Sequence, residues 1–312
     1  MSIKTGLLEI VRPITEVYSG ITVAARCGDH DRKTSTMNPK TILVLGSTGK
    51  TGRRVAQRLA ALDLPVRHGS RSGSPPFHWD APETWAPALR GVGAAYVSYF
   101  PDLAAAGATD AIQSFTDLAV KSGVRRLVLL SGRSEIEAEQ CEEIVRQSGV
   151  EWTLVRASWF AQNFSETHFL EPILAGELAL PVADIGEPFV DVDDIADVAV
   201  AALTEEGHVG RLYELTGPRL LTFAEAVAEI ARASGRPIRF ARVPMEDYVA
   251  ALDAAGLPPD MIDLIRYLFT EVLDGRNACV TDGVSRALGR PARDFGEYAR
   301  KTAATGVWDA AR

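Results

Sequence analysis

The chain has 312 residues, 46% of them hydrophobic and 24% charged, the balance of a soluble globular protein long enough for one large or two modest domains. A formal net charge of -8 with scattered arginines argues against nucleic acid, whose backbone is bound by clustered Lys and Arg. No apolar run approaches the ~18 residues of a membrane span, and Cys27, Cys141 and Cys279 lack metal or disulfide spacing, so the expectation is a cytoplasmic monomer or homodimer acting on a small molecule.

Residues 1–36 stand apart. Residues 3–25 have an irregular apolar pattern interrupted by Glu9 and Arg12, which suits no secretory segment, and residues 27–35 are polar and charged. Met37 lies just before the first strand, so residues 1–36 read as a loosely ordered, dispensable extension, with Met37 as the natural start; a cap over the active site is the alternative.

Residues 41–53 read TILVLGSTGKTGR. Apolar residues 42–45 predict a buried parallel strand, and residues 53–62 a helix. Between them Gly46, Gly49 and Gly52 form a G-x-x-G-x-x-G turn. Small residues there let the backbone approach a pyrophosphate, and the helix N-terminus offers unpaired N–H groups and a positive dipole end. Ser47, Thr48, Lys50 and Thr51 complete this candidate dinucleotide cradle. A P-loop is excluded because Val44 stands where its first glycine belongs.

A second strand follows at residues 65–69. Where NAD enzymes place an acid about 20 residues beyond the glycines, this chain has Ser70-Arg71-Ser72. An arginine there meets a 2′-phosphate, so NADP(H) is the expected cofactor, with Arg53 able to share the role. Further strands are predicted at 77–79, ending at Asp80, at 94–98, running into Tyr99-Phe100-Pro101, at 127–130, ending at Ser131-Gly132, and at 152–155. Helices over 82–89, 109–122 and 135–147 separate them, which makes the sheet parallel and doubly wound, with ligands at the carboxyl ends of its strands.

The regularity stops after Arg156. Residues 158–169, SWFAQNFSETHF, hold Trp159, Phe160, Asn163 and Phe164 just beyond a strand's carboxyl end; their aromatics are either core or pocket. His168, close by, could polarise a substrate or simply be a satisfied histidine. A short strand is expected at 188–192, then a helix over 195–203 capped by Asp193-Asp194, and another strand at 211–215. Thr222 and Glu225 form a capping box for a helix over 223–233. Residues 244–273 read as helical with a break at 256–259. The expected organisation is an NADP-binding domain over 37–165, with 188–216 returning to its sheet, a substrate lobe from 166–187 and 217–274, and a C-terminal segment over 275–312.

Together the segments LVLGSTGKTGRRVAQRL, HWDAPETWAPAL, GVRRLVLLSG, SGVEWTLVRASWFAQNF, PFVDVDDIADVA and YELTGPRLLTFAEA resemble the NmrA-like branch of the atypical short-chain dehydrogenases. In detail they look most like the ergot-alkaloid-biosynthesis reductases, such as agroclavine and festuclavine dehydrogenase, and their bacterial relatives. The resemblance implies an α/β fold, a Rossmann-type doubly wound parallel sheet with a smaller, mainly helical C-terminal lobe, and NADP(H) as cofactor. It also implies that the glycine turn holds the phosphates, Arg71 the adenosine phosphate and Asp80 the adenine side, with Phe100, Ser131 and residues 159–164 near nicotinamide and substrate. No metal is expected, since the five histidines show no paired spacing.

Ketone-reducing relatives donate a proton from a Tyr-x-x-x-Lys pair. None of the seven tyrosines here has a lysine four residues on, the pair falls at Ser134 and Ala138, and no lysine occurs between Lys121 and Lys301. The chain is therefore expected to be either a reductase of pre-activated acceptors, an iminium ion or a quinone, or a non-catalytic NADP(H) sensor acting through a protein partner.

Overall fold

The computed structural model describes residues 40–309, so the expected extension over 1–36, with Cys27 and Met37, lies outside the described residues. The elements alternate as β1 (Thr41–Leu45), α1 (Lys50–Ala61), β2 (Val66–Gly69), α2 (Trp85–Leu89), β3 (Val92–Val97), α3 (Ala108–Lys121), β4 (Arg126–Gly132), α4 (Ile136–Gln147) and β5 (Glu151–Ala157). There follow α5 (Asn163–Glu166), α6 (Leu170–Leu174), β6 (Glu177–Leu180), α7 (Val192–Thr204), β7 (Arg211–Leu215), α8 (Phe223–Ser234) and β8 (Arg239–Arg242). The chain continues through α9 (Met245–Ala254), α10 (Pro259–Tyr267), α11 (Gly283–Leu288) and α12 (Phe295–Ala303).

Six strands form one parallel sheet in the order β2-β1-β3-β4-β5-β7. Strand side chains alternate between faces, and both faces are covered. Leu43, Leu45, Val97 and Leu129 pack with Trp85, Ile112, Phe115 and Cys141 from α2, α3 and α4. Ile42, Val44, Val128 and Val155 pack with Val55 and Leu59 of α1 and Ile195 and Val198 of α7. A third core belongs to the C-terminal lobe, where Phe164, Phe189, Phe223 and Phe295 meet ring to ring. The wholly buried Trp308 closes it, its indole N–H donating to the Phe164 carbonyl at 2.9 Å.

The sequence reading differs from the structure at several elements. Residues 77–79 are not a strand: Phe77 and Trp79 turn inward onto Trp85 and Phe115. The backbone N–H groups there bond locally, Phe77 to the Ser70 carbonyl and His78 to the Thr84 hydroxyl, so no ladder forms. Residues 188–192 make only a single bridge between Val190 and Phe160, because Val192 already begins α7. That helix is capped by Asp191, whose carboxylate accepts from the Asp193 N–H, rather than by Asp193-Asp194. The lobe also contains a two-stranded parallel sheet, β6 with β8, hidden from the sequence by the charged ends of RFAR. Of the two described cysteines, Cys141 is buried and Cys279 is exposed. The Thr222–Glu225 capping box forms as predicted.

The buried Phe164 ring makes Phe164→Ala a test of the lobe core: unfolding should lose about 3–5 kcal/mol, measured by urea titration. A variant as stable as the parent would mean that the ring is not packed as described.

Candidate functional site

The site begins where β1 ends. Gly46 takes a φ of +64°, its carbonyl accepts from the Gly49 N–H at 2.8 Å, and α1 starts at Lys50. A Cβ on Gly52 would lie 2.2 Å from the Gly46 oxygen, a closeness that only glycine permits. Gly49 caps α1 without a side-chain hydrogen bond, and the first turn holds no acid. The positive end of the helix is therefore available to an anion, as a dinucleotide phosphate requires. Ser47 adds a buried hydroxyl without a hydrogen-bond partner among the described residues, while Thr48 is exposed and Thr51 buried.

Arg71 follows β2, exposed and without a hydrogen bond or ion pair among the described residues. Arg53, by contrast, is held by Glu166 at 2.8 Å, which leaves Arg71 the better placed to meet a 2′-phosphate. Asp80 is exposed beside His78, at 3.5 Å. Phe100, beyond β3, is 57% exposed.

At β4 the hydroxyl of Ser131 is committed: it donates to Glu142 at 2.8 Å, and Glu142 also receives two hydrogen bonds from Arg156. This buried network turns Ser131 toward α4 and away from the role of open pocket donor. Ser134, expected from the sequence at the tyrosine position of the Tyr-x-x-x-Lys pair, donates to Asn277 at 2.8 Å, and Ala138, expected at the lysine position, is wholly buried. Neither supplies a phenol or an amine.

The segment after β5 divides. Phe164 is core, with no exposed surface from which to touch a substrate. Trp159 packs its half-buried ring against Phe223 and Phe269, and its backbone N–H donates to the Glu187 carboxylate at 3.3 Å. Burial pushes the Glu187 carboxyl up to about 7 despite that bond and the nearby Arg133 and Ser158. Asn163 and Phe160 meet α1: the Lys50 amine donates to Asn163 Oδ1 at 2.8 Å and Thr167 Oγ1 at 3.1 Å, and lies 5.8 Å from the Phe160 ring centroid. Burial lowers the Lys50 amine to about 8, against the pull of Glu166 and with the push of Arg53 and Arg54. His168 is lowered to about 3 by burial and by Lys50, so it stays a neutral imidazole and is no proton donor at neutral pH.

Two features were invisible in the sequence. The Lys50 amine turns from the glycine turn to residues more than a hundred positions away. Asp102 and Glu135 come together between the loop after β3 and the start of α4, where burial first and mutual proximity next raise Glu135, and burial raises Asp102. A Cβ on Gly132 would fall 2.1 Å from the Glu135 carboxylate, so this glycine makes room for the pair. Spacing along the chain carries no signal for either contact.

The model of the NmrA-like family matches residues 137–287. The chain is 30% identical to an NAD(P)H azoreductase of Xenophilus azovorans, over 84% of its own length and 98% of that protein. It is also 30% identical to festuclavine synthase II of Penicillium roqueforti (strain FM164), over 83% and 97%. The fold resembles that of the Citrobacter sp. triphenylmethane reductase, with a TM-score of 0.67 at 18% identity, covering 85% of this chain and 99% of that one.

The close approach at Gly52 makes Gly52→Ala a test of the turn. The variant should lose about 1–3 kcal/mol of stability, the usual cost of overpacking, and dinucleotide affinity with it. Calorimetry and fluorescence titration would measure both, and unchanged values would contradict the backbone contact.

Proposed function

The chain belongs to the NmrA-like family and is an NAD(P)-dependent oxidoreductase, and from that premise we propose that it reduces small organic acceptors already activated toward hydride: quinones, azo compounds or iminium ions. NADP(H) is the cofactor, and when bound it supplies the hydride. The residues present fit it: the N-terminal turn of α1 and the glycine turn suit a diphosphate, and the exposed Arg71 guanidinium suits a 2′-phosphate. Phe100, Phe160 and the accessible part of Trp159 offer aromatic surface for a planar acceptor.

The observation that carries the acceptor class is the pair Ser134 and Ala138, one hydrogen-bonded to Asn277 and the other buried, where ketone reductases hold their acid. A positioned general acid contributes roughly 10²- to 10⁴-fold, so its loss weighs most on substrates whose product is a strongly basic alkoxide. A quinone yields a stabilised hydroquinone anion that water can protonate, and an iminium ion yields a neutral amine. The reading is supported by the name of the azoreductase relative, whose acceptor is likewise activated. The protein's own contribution is then to position the acceptor and exclude water.

Turnover tests this directly. Oxidation of NADPH should be at least about 10²-fold faster with a quinone or a cyclic iminium ion than with a matched ketone. Equal turnover of the ketone would reveal a proton donor elsewhere. For the cofactor, Arg71→Ala should reduce the preference for NADPH over NADH by roughly 10- to 150-fold, the value of a hydrogen bond to a charged group. A parent protein that binds both cofactors equally would refute the role of Arg71.

A further inference from the structure

Resting on the reductase reading above, we propose that the Lys50 side chain is the charge that sets acceptor specificity, selecting neutral acceptors that become anions on reduction, quinones and azo compounds, over cationic iminium ions. Lys50 opens α1 directly after the glycine turn, yet its amine crosses to the segment beyond β5. There it is fixed by Asn163 at 2.8 Å and Thr167 at 3.1 Å, over the Phe160 ring. The amine thus stands between the cofactor cradle and the residues at the carboxyl end of β5, where an acceptor must lie to meet the nicotinamide.

The groups facing it cancel that charge only in part. Glu166 of α5 is the nearby anion, but it is paired at 2.8 Å with Arg53 and at 2.7 Å with Arg54, both on α1. His168 is neutral. Asn163 and Thr167 contribute only dipoles. A desolvated ammonium repels a cation entering the cleft and stabilises negative charge forming on an oxygen or nitrogen, by more than it could in water. The cation that meets an aromatic face here is Lys50 itself, so the site has no need of a cationic substrate to fill that place.

Lys50→Met and Lys50→Arg distinguish the alternatives, with 1,4-naphthoquinone and a cyclic N-methyl iminium ion as acceptors. Lys50→Met should lower kcat/KM for the quinone about 10- to 100-fold while sparing or raising that for the iminium ion, and Lys50→Arg should keep the parent's preference. The parent's quinone rate should fall as pH rises through about 8, where the amine loses its charge, and this limb should be absent from Lys50→Met. A second readout needs no turnover: binding of 4-nitrophenolate to the complex with NADP⁺ should weaken about 10-fold in Lys50→Met. Equal loss with both acceptors, or loss of NADPH affinity with an unchanged quinone-to-iminium ratio, would overturn the proposal and make Lys50 a cofactor ligand. Should the parent reduce none of the acceptors, the reductase reading fails, and 4-nitrophenolate binding alone decides whether Lys50 holds an anion site.

Discussion

Everything in this site depends on how closely Gly52 approaches the Gly46 carbonyl. Because no side chain separates them, β1 turns into α1 within four residues, and the helix starts beneath the carboxyl edge of the sheet. Its first turn, without acidic residues, follows the carboxyl end of β1, and its first side chain, Lys50, reaches Asn163 and Thr167. A bulkier turn would move both at once. In the function proposed above, phosphate binding and acceptor electrostatics therefore share a single backbone constraint.

The same helix ties the sheet to the lobe. Arg54 and Arg58 bind Asp193 and Asp197 on α7, Arg290 and Arg293 reach Asp197 from the C-terminal side, and Glu166 of α5 holds Arg53 and Arg54. Isolated exposed pairs of this kind contribute little, ~0–1 kcal/mol each. Here the pairs are half-buried and share partners, which fixes the orientation of α1 against two other elements. Burial pushes Asp193 and Asp197 up, but their arginines outweigh it and hold both carboxyls below the ordinary range. Their contribution to stability is therefore complete above the carboxylate pKa of the unfolded chain and is lost as pH falls through the depressed values.

Acids at the sheet's carboxyl edge behave in the opposite way. Burial raises Asp102, Glu135 and Glu187, and each is thereby biased toward its neutral form. Glu142 is ion-paired with Arg156 at 2.6 Å. Among the described residues, Arg71 presents an exposed guanidinium and Lys50 a buried amine held by Asn163 and Thr167. In the function proposed above, the first meets the phosphate of the cofactor and the second the acceptor as it gains negative charge.

Local chemistry made much of this legible in the sequence. The apolar run 42–45, the glycine spacing, Arg71 after β2 and the Thr222–Glu225 capping box act through neighbours in the chain, so spacing alone predicts them. That no tyrosine has a lysine four residues on is likewise a property of residue identity. Where competing contacts came from afar, the reading failed: the Phe77 and Trp79 rings drew a would-be strand into a turn, and Arg239 and Arg242 disguised β8 at the surface. Phe164 and Trp159 look alike in sequence, yet only packing against Phe223, Phe269 and Trp308 made one of them core and left the other partly open. The sequence by itself determined the glycine turn, the alternation of strand and helix, and the lack of any Tyr-x-x-x-Lys spacing, because those are set within a few residues. Only the tertiary structure decided that Ser131 is spent on Glu142 and that the Lys50 amine faces Asn163, because both follow from groups brought together across the sheet, where burial and charge are set by the fold.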